Sequence, residues 1–255
     1  MIDTHAHLDF PQFEKDREKV IEQAFSSGVK AIINIGIDLE SSRKSIALAD
    51  AYESIYATVG FHPHNASRWN EEALKELETL ATHPKVVAIG EAGLDFYRNL
   101  SSEESQMKAF REQIELALRL NLPIVIHIRN AYKRGLEILS QYFIKREKSG
   151  ILHCFSGDEE DAREALSLGF HLAFNGTLTY RNSKAAGVVK KLPLNSILIE
   201  TDCPYLTPEP FRGRRNEPKL VKLVLEKMVE LFPSSTFEEL DQWTSRNARN
   251  VLGIK

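Results

Sequence analysis

Several things are scarce in this chain of 255 residues. Cysteine occurs only as Cys154 and Cys203, which excludes a disulfide framework. Both sit in apolar segments, where a free thiol packs as a small hydrophobe. No apolar run approaches the roughly 20 residues that cross a bilayer. The N-terminus enters Asp3-Thr4-His5 directly, without the basic and apolar start of a secretory signal. A cytoplasmic protein with no membrane partner is expected. Basic charge is not in excess either: 33 Lys and Arg against 36 Asp and Glu give a formal net charge of −3. This excludes a protein that coats nucleic acid through a broad basic face, but not an enzyme that grips a few phosphates locally. No repeat period, low-complexity tract or Pro/Gly/Ser linker divides the chain, so residues 1–255 read as one domain, a size common for α/β barrels.

What is present is alternation. Apolar strand-like runs at residues 2–5, 31–35, 55–59, 86–90, 124–128, 151–155, 171–174 and 197–200 are separated by amphipathic stretches at 15–25, 39–52, 71–80, 102–120, 131–142, 159–168 and 182–190. Helix-start signals, Ser101-Ser102-Glu103-Glu104 and Asp158, support two of these. Two further helices are expected at 218–231 and 236–252. Eight strand and helix pairs in strict order predict a (β/α)₈ TIM barrel with extra C-terminal helices, whose reactive groups sit at the C-terminal ends of the strands.

The polar residues fall at those ends. His5 and His7 close the first strand, on one face because strand side chains alternate. His62 and His64 follow the third strand, Glu91 the fourth and Asp202 the eighth, while His127 ends the fifth and His153 lies in the sixth. Taken alone, His-x-His is more often a surface pair, and a histidine between isoleucines, as His127 is, more often a hydrogen-bonded core group. The set reads differently. Four imidazoles and two carboxylates at one barrel mouth suffice for two divalent ions: His5, His7, Glu91 and Asp202 on one, and Glu91, His127 and His153 on the other, with Glu91 bridging. His83 and His171 have no role in this reading.

The chain resembles the TatD family of metal-dependent DNases, within the amidohydrolase-like barrel superfamily. The resemblance rests on Asp3-Thr4-His5-Ala6-His7-Leu8, Gly60-Phe61-His62-Pro63-His64, Gly90-Glu91-Ala92-Gly93-Leu94-Asp95, Pro123 to Arg129, His153-Cys154-Phe155-Ser156-Gly157, Glu200 to Leu206 and Arg212-Gly213-Arg214-Arg215-Asn216-Glu217-Pro218. It implies the barrel, hydrolysis of phosphodiester bonds in nucleic acid, DNA first, and the same six metal ligands.

Such chemistry needs water activated by the cation pair and a base for its proton, for which Asp202 is the candidate alongside Glu91 and His62 as catalytic groups. Substrate phosphates need donors: Arg129, two residues beyond His127, the loop arginines Arg212, Arg214 and Arg215, and His64. The cations are expected to be Mg²⁺, Mn²⁺ or Zn²⁺, since imidazole favours the latter two whereas the resemblance implies magnesium. A monomer suffices for such a site. The alternatives are an amidohydrolase acting on C–N or ester bonds, many of which bridge their metals with a carbamylated lysine where Glu91 stands, and a non-catalytic barrel holding metal for stability.

Overall fold

A computed structural model of the chain describes residues 1–143 and 149–254. Eight parallel strands form one sheet in chain order: β1 (Ile2–Ala6), β2 (Ala31–Asn34), β3 (Ile55–Val59), β4 (Val86–Asp95), β5 (Ile124–Arg129), β6 (Gly150–Leu152), β7 (Phe170–Phe174) and β8 (Ile197–Ile199). Between them run α1 (Arg17–Ser26), α2 (Leu39–Ala51), α3 (Glu71–Leu80), α4 (Glu103–Leu120), α5 (Tyr132–Ser140), α6 (Glu159–Ser167) and α7 (Lys184–Val189). Two helices, α8 (Val221–Leu231) and α9 (Phe237–Leu252), complete the chain. The expected (β/α)₈ barrel with added C-terminal helices is present. Among the described residues no helix is long and apolar enough to cross a membrane.

Local chemistry starts the helices where the sequence places them. The Ser102 hydroxyl accepts from the Ser105 N–H (3.2 Å) at the head of α4, and Asp158 forms a reciprocal capping box with Asp161 at the head of α6. Closure of the barrel is less regular. β1 and β8 share no continuous ladder but are stitched together at their C-terminal tips. His7 N–H donates to Cys203 O (2.9 Å) and Asp202 N–H to His5 O (2.8 Å). The buried Asp3 carboxylate accepts from the Thr201 N–H (2.9 Å) and hydroxyl (2.6 Å). This seam brings the His5 and Asp202 segments side by side.

Two strands differ from the sequence reading by more than one residue at an end. β4 does not stop at Gly90 but continues to Asp95, with its register against β5 shifting between Ile89 and Ala92. Glu91 therefore lies inside a bulged strand and not in a loop. β6 ends at Leu152, short of the expected 155, because Cys154 takes a left-handed backbone (φ 47°) that turns the chain. His153 is thus at the strand tip.

Inside the barrel, residues two apart share a face, and this sorts the interior into layers. Val125, Ile151, Ala173 and Leu198 form an apolar floor with Ile33 and Ala88, and α9 closes it from below with Ala248, Val251 and Leu252. Two positions further up the same strands stand His127, His153, Asn175 and Glu200. The floor excludes water from beneath, and the polar layer above it faces the mouth. A larger apolar shell fills the space between the sheet and its outer helices.

Candidate metal centre

Glu91 stands at the middle of the polar layer, almost fully buried, and its two oxygens face different partners. Oε2 lies 3.3 Å from His5 Nε2 and 3.8 Å from His7 Nε2. Oε1 lies 3.0 Å from His127 Nδ1, 2.9 Å from His153 Nε2 and 3.4 Å from His62 Nε2. Asp202, held in the left-handed region (φ 57°), places Oδ1 3.5 Å from His7 Nε2 and 3.8 Å from His5 Nε2. The nitrogens also face one another: His5 and His7 Nε2 are 3.2 Å apart, and His127 Nδ1 and His153 Nε2 3.1 Å. The six residues expected as ligands thus converge from five strands.

Their electrostatics define what the cluster lacks. Among the described residues, neither Glu91 nor Asp202 has a lysine or arginine within ion-pair distance. Burial works to raise the pKa of Glu91, but the facing His153, His62 and His5 and the His127 hydrogen bond hold it well below the usual carboxylate range. Asp202 is likewise held low, against burial, by His7, His5 and His153. In return, Glu91 and Glu200 push His153 well above an ordinary histidine despite its burial. His127 and His7 are raised in the same way by their carboxylate partners. The cluster demands positive charge. Protons meet that demand only by occupying the nitrogen lone pairs that converge here, whereas divalent cations satisfy the carboxylates and use those lone pairs together. The donor set therefore fits metal.

His62 behaves differently from its neighbours. Its Nδ1 accepts the backbone N–H of His64 (3.1 Å), so the neutral ring carries its proton on Nε2, the atom aimed at Glu91. Burial pushes this ring down to about 4, which keeps it neutral. His62 is consequently a donor pointing into the cluster. The same His62 ring caps the 3₁₀ turn Pro63–Arg68.

Two carboxylates with no role in the sequence reading orient the clustered histidines. Asp95 Oδ2 accepts from His64 Nε2 (2.8 Å) and His127 Nε2 (3.3 Å), and Oδ1 from the backbone N–H groups of Tyr97 (3.0 Å) and Arg98 (2.8 Å). This turns Nδ1 of His127 toward Glu91. Glu200 Oε1 accepts from Cys154 N–H (2.7 Å) and Asn175 Nδ2 (3.2 Å) and lies 3.5 Å from His153 Nδ1. Both occur in motifs quoted above, at positions that share a face with a ligand, and that spacing was the available signal. His64 is thus tied to Asp95 and does not point at Glu91.

The arginines are distributed unevenly. Arg129, at the end of β5, lays its guanidinium over the Tyr97 ring at 4.1 Å. Arg212 and Arg214 are exposed in the loop after β8, over Tyr180 (4.2 Å) and Phe211 (5.8 Å). Arg215, in the same loop, is engaged within the protein. It pairs with both oxygens of Asp16 (2.8 and 2.7 Å) and with Glu217 (3.0 Å), and so anchors that loop to the N-terminal region. The cysteines are as expected from packing: burial pushes Cys154 up to about 12 and Cys203 well above its ordinary value.

The chain is similar to known proteins in both sequence and fold. The family described as TatD related DNase matches residues 2–253. A metal-dependent hydrolase of Bacillus subtilis, YabD, is 44% identical over 255 residues, 100% of this chain and 99% of that protein. The 3'-5' ssDNA/RNA exonuclease TatD of Cronobacter sakazakii is 38% identical over 236 residues, 90% of this chain and 89% of its own. The crystal structure of YjjV, a TatD homologue of Escherichia coli, superposes with a TM-score of 0.93 at 33% identity, covering 100% of this chain and 98% of that one. Barrel, ordered motifs and these likenesses agree, and the chain belongs to the TatD related DNase family of metal-dependent hydrolases.

Proposed function

We propose that this enzyme is a nuclease that trims single-stranded DNA, and RNA, from the 3′ end by hydrolysing phosphodiester bonds at the barrel mouth. The observation that carries the reading is the split of Glu91 between two imidazole groups, which suits a bridge between two cations. His5, His7, Glu91 and Asp202 would hold one, and Glu91, His127 and His153 the other, the metals being Mg²⁺, Mn²⁺ or Zn²⁺. When bound, the cations supply Lewis acidity toward water and the phosphoryl oxygens.

The remaining roles belong to the chain. Asp202 takes the proton from the attacking water, because it is the ligand carboxylate that water reaches: its side chain is 14% exposed against 3% for Glu91. His62 directs its Nε2–H toward the leaving oxygen as the phosphorus–oxygen bond breaks. Arg129, Arg212 and Arg214, together with His64 at the edge of the cluster, bind the flanking phosphates. The curated relative acting on single-stranded DNA and RNA supports the substrate class.

End-labelled single- and double-stranded DNA and RNA, incubated with protein chelated and then reloaded with Mg²⁺, Mn²⁺ or Zn²⁺, provide the test, with a cyclic amide as the competing substrate. A metal-dependent ladder receding from the 3′ end of single strands is expected. Full activity in excess chelator, or turnover of the amide alone, rejects the reading.

A further inference from the structure

Five large apolar side chains are exposed among the described residues: Tyr97 (66%), Leu100 (63%), Tyr205 (50%), Phe211 (37%) and Trp243 (37%). All but Trp243 lie in just two loops, those following β4 and β8. In an eight-stranded barrel ordered β1 to β8, these two strands are half a turn apart, so the loops face each other across the mouth.

Each tyrosine is tied to the metal cluster. The Tyr97 N–H donates to Asp95, the same carboxylate that grips His127, so this loop is in register with the site. Arg129 covers the Tyr97 ring, and its guanidinium makes no hydrogen bond or ion pair among the described residues. On the other side, His7 stacks on Phe10 (4.6 Å, 19°), and Phe10 meets Tyr205 edge-on (6.3 Å, 73°). Asn216 pins the Tyr205 carbonyl (2.7 Å) and the neighbouring Thr201 carbonyl (2.8 Å).

We propose that Tyr97 and Tyr205 are nucleobase-stacking platforms on opposite sides of the cluster, holding the bases that flank the scissile phosphate. This rests on the nuclease reading and extends it to what makes the site select single strands. A tyrosine face offers every base the same π surface, whereas a base inside a duplex already has both faces stacked. Arg129 stiffens the Tyr97 ring from behind through a cation–π contact while its N–H edge stays available to phosphate. A protein partner is the competing occupant of such a patch. The Tyr97 ring, covered by an arginine with no acidic partner among the described residues and beside a phosphoester-cleaving centre, favours a nucleic acid.

The test compares a single-stranded oligonucleotide with methyl 4-nitrophenyl phosphate, which has no base to stack, using wild type, Tyr97→Ala, Tyr97→Phe and Tyr205→Ala. Each alanine variant is expected to lower kcat/KM on the oligonucleotide roughly tenfold more than on the small diester, chiefly through KM, while Tyr97→Phe stays within about twofold of wild type. Replacing the two 3′-terminal bases by abasic sites is expected to cost wild type about the product of the two alanine factors, and each alanine variant only the factor of the tyrosine it keeps. Alanine variants that lose equally on both substrates, or that keep the full abasic penalty, overturn the platforms and leave the patch to a protein partner. Wild type that cleaves neither substrate overturns the nuclease reading, and the platforms with it.

Discussion

Asp95 shows how much one buried carboxylate decides. Four donors converge on its two oxygens, from His64, His127, Tyr97 and Arg98. An amide has one accepting oxygen, so Asp95→Asn sets its NH₂ against two of those donors and releases His127 from its orientation. Cation affinity is expected to fall roughly 10- to 100-fold with the fold kept, as read by competition with a chromophoric chelator and by circular dichroism. Unchanged affinity removes Asp95 from the site. Asp202→Asn is expected to lose turnover by two orders of magnitude or more while still folding. Near-normal turnover in the metal-loaded variant assigns the base elsewhere. At this scale the members of the converging cluster were legible in the sequence, since histidines and carboxylates at strand ends stand out against apolar flanks. Asp95 and Glu200 were not assigned, because their role is visible only once the ring nitrogen that each one faces is known.

The elements were legible by periodicity, and the misses came where backbone chemistry interrupts it. β4 was expected to stop at Gly90, since glycine ordinarily breaks a strand. Here Gly90 (φ 137°) permits close approach to β5: a Cβ at this position would lie 2.5 Å from Val125 O. Gly90→Ala must therefore displace the strand that carries Glu91. A loss of about 1–3 kcal/mol is expected in urea unfolding, together with weaker cation binding, and a variant matching wild type in both contradicts this account of the bulge. The end of β6 was missed for a related reason, because nothing in Cys154 as a residue announces a left-handed backbone. α9 was expected as a helix by its pattern. Its task, plugging the barrel floor, follows from which strands lie above it.

For the whole molecule, two expectations combine charge with binding. The chain carries a net charge of −3, so the nuclease reading expects substrate to be held by a few local arginines and not by a general basic field. With Arg129, Arg212 and Arg214 as the phosphate contacts, oligonucleotide affinity is expected to fall with salt at a log–log slope near about −2. A slope several times steeper reveals a basic surface outside these loops. Cations that bind only the folded barrel also stabilise it, by about 2.7 kcal/mol per site at a hundredfold excess over Kd. Chelation of two such cations should then lower Tm by roughly 10–20 °C in calorimetry. An identical Tm with and without chelator shows that the cluster is not a cation site.

The sequence by itself determined the alternation of strands and helices, hence the barrel, and the chemistry of the groups at its mouth, because apolar periodicity and residue type are local properties. The tertiary structure decided which nitrogen of each histidine faces Glu91, that Arg215 is held by Asp16, and that exposed aromatics gather on two opposing loops. Those facts depend on distances between residues far apart in the chain, which closure of the β1–β8 seam fixes and local sequence does not encode.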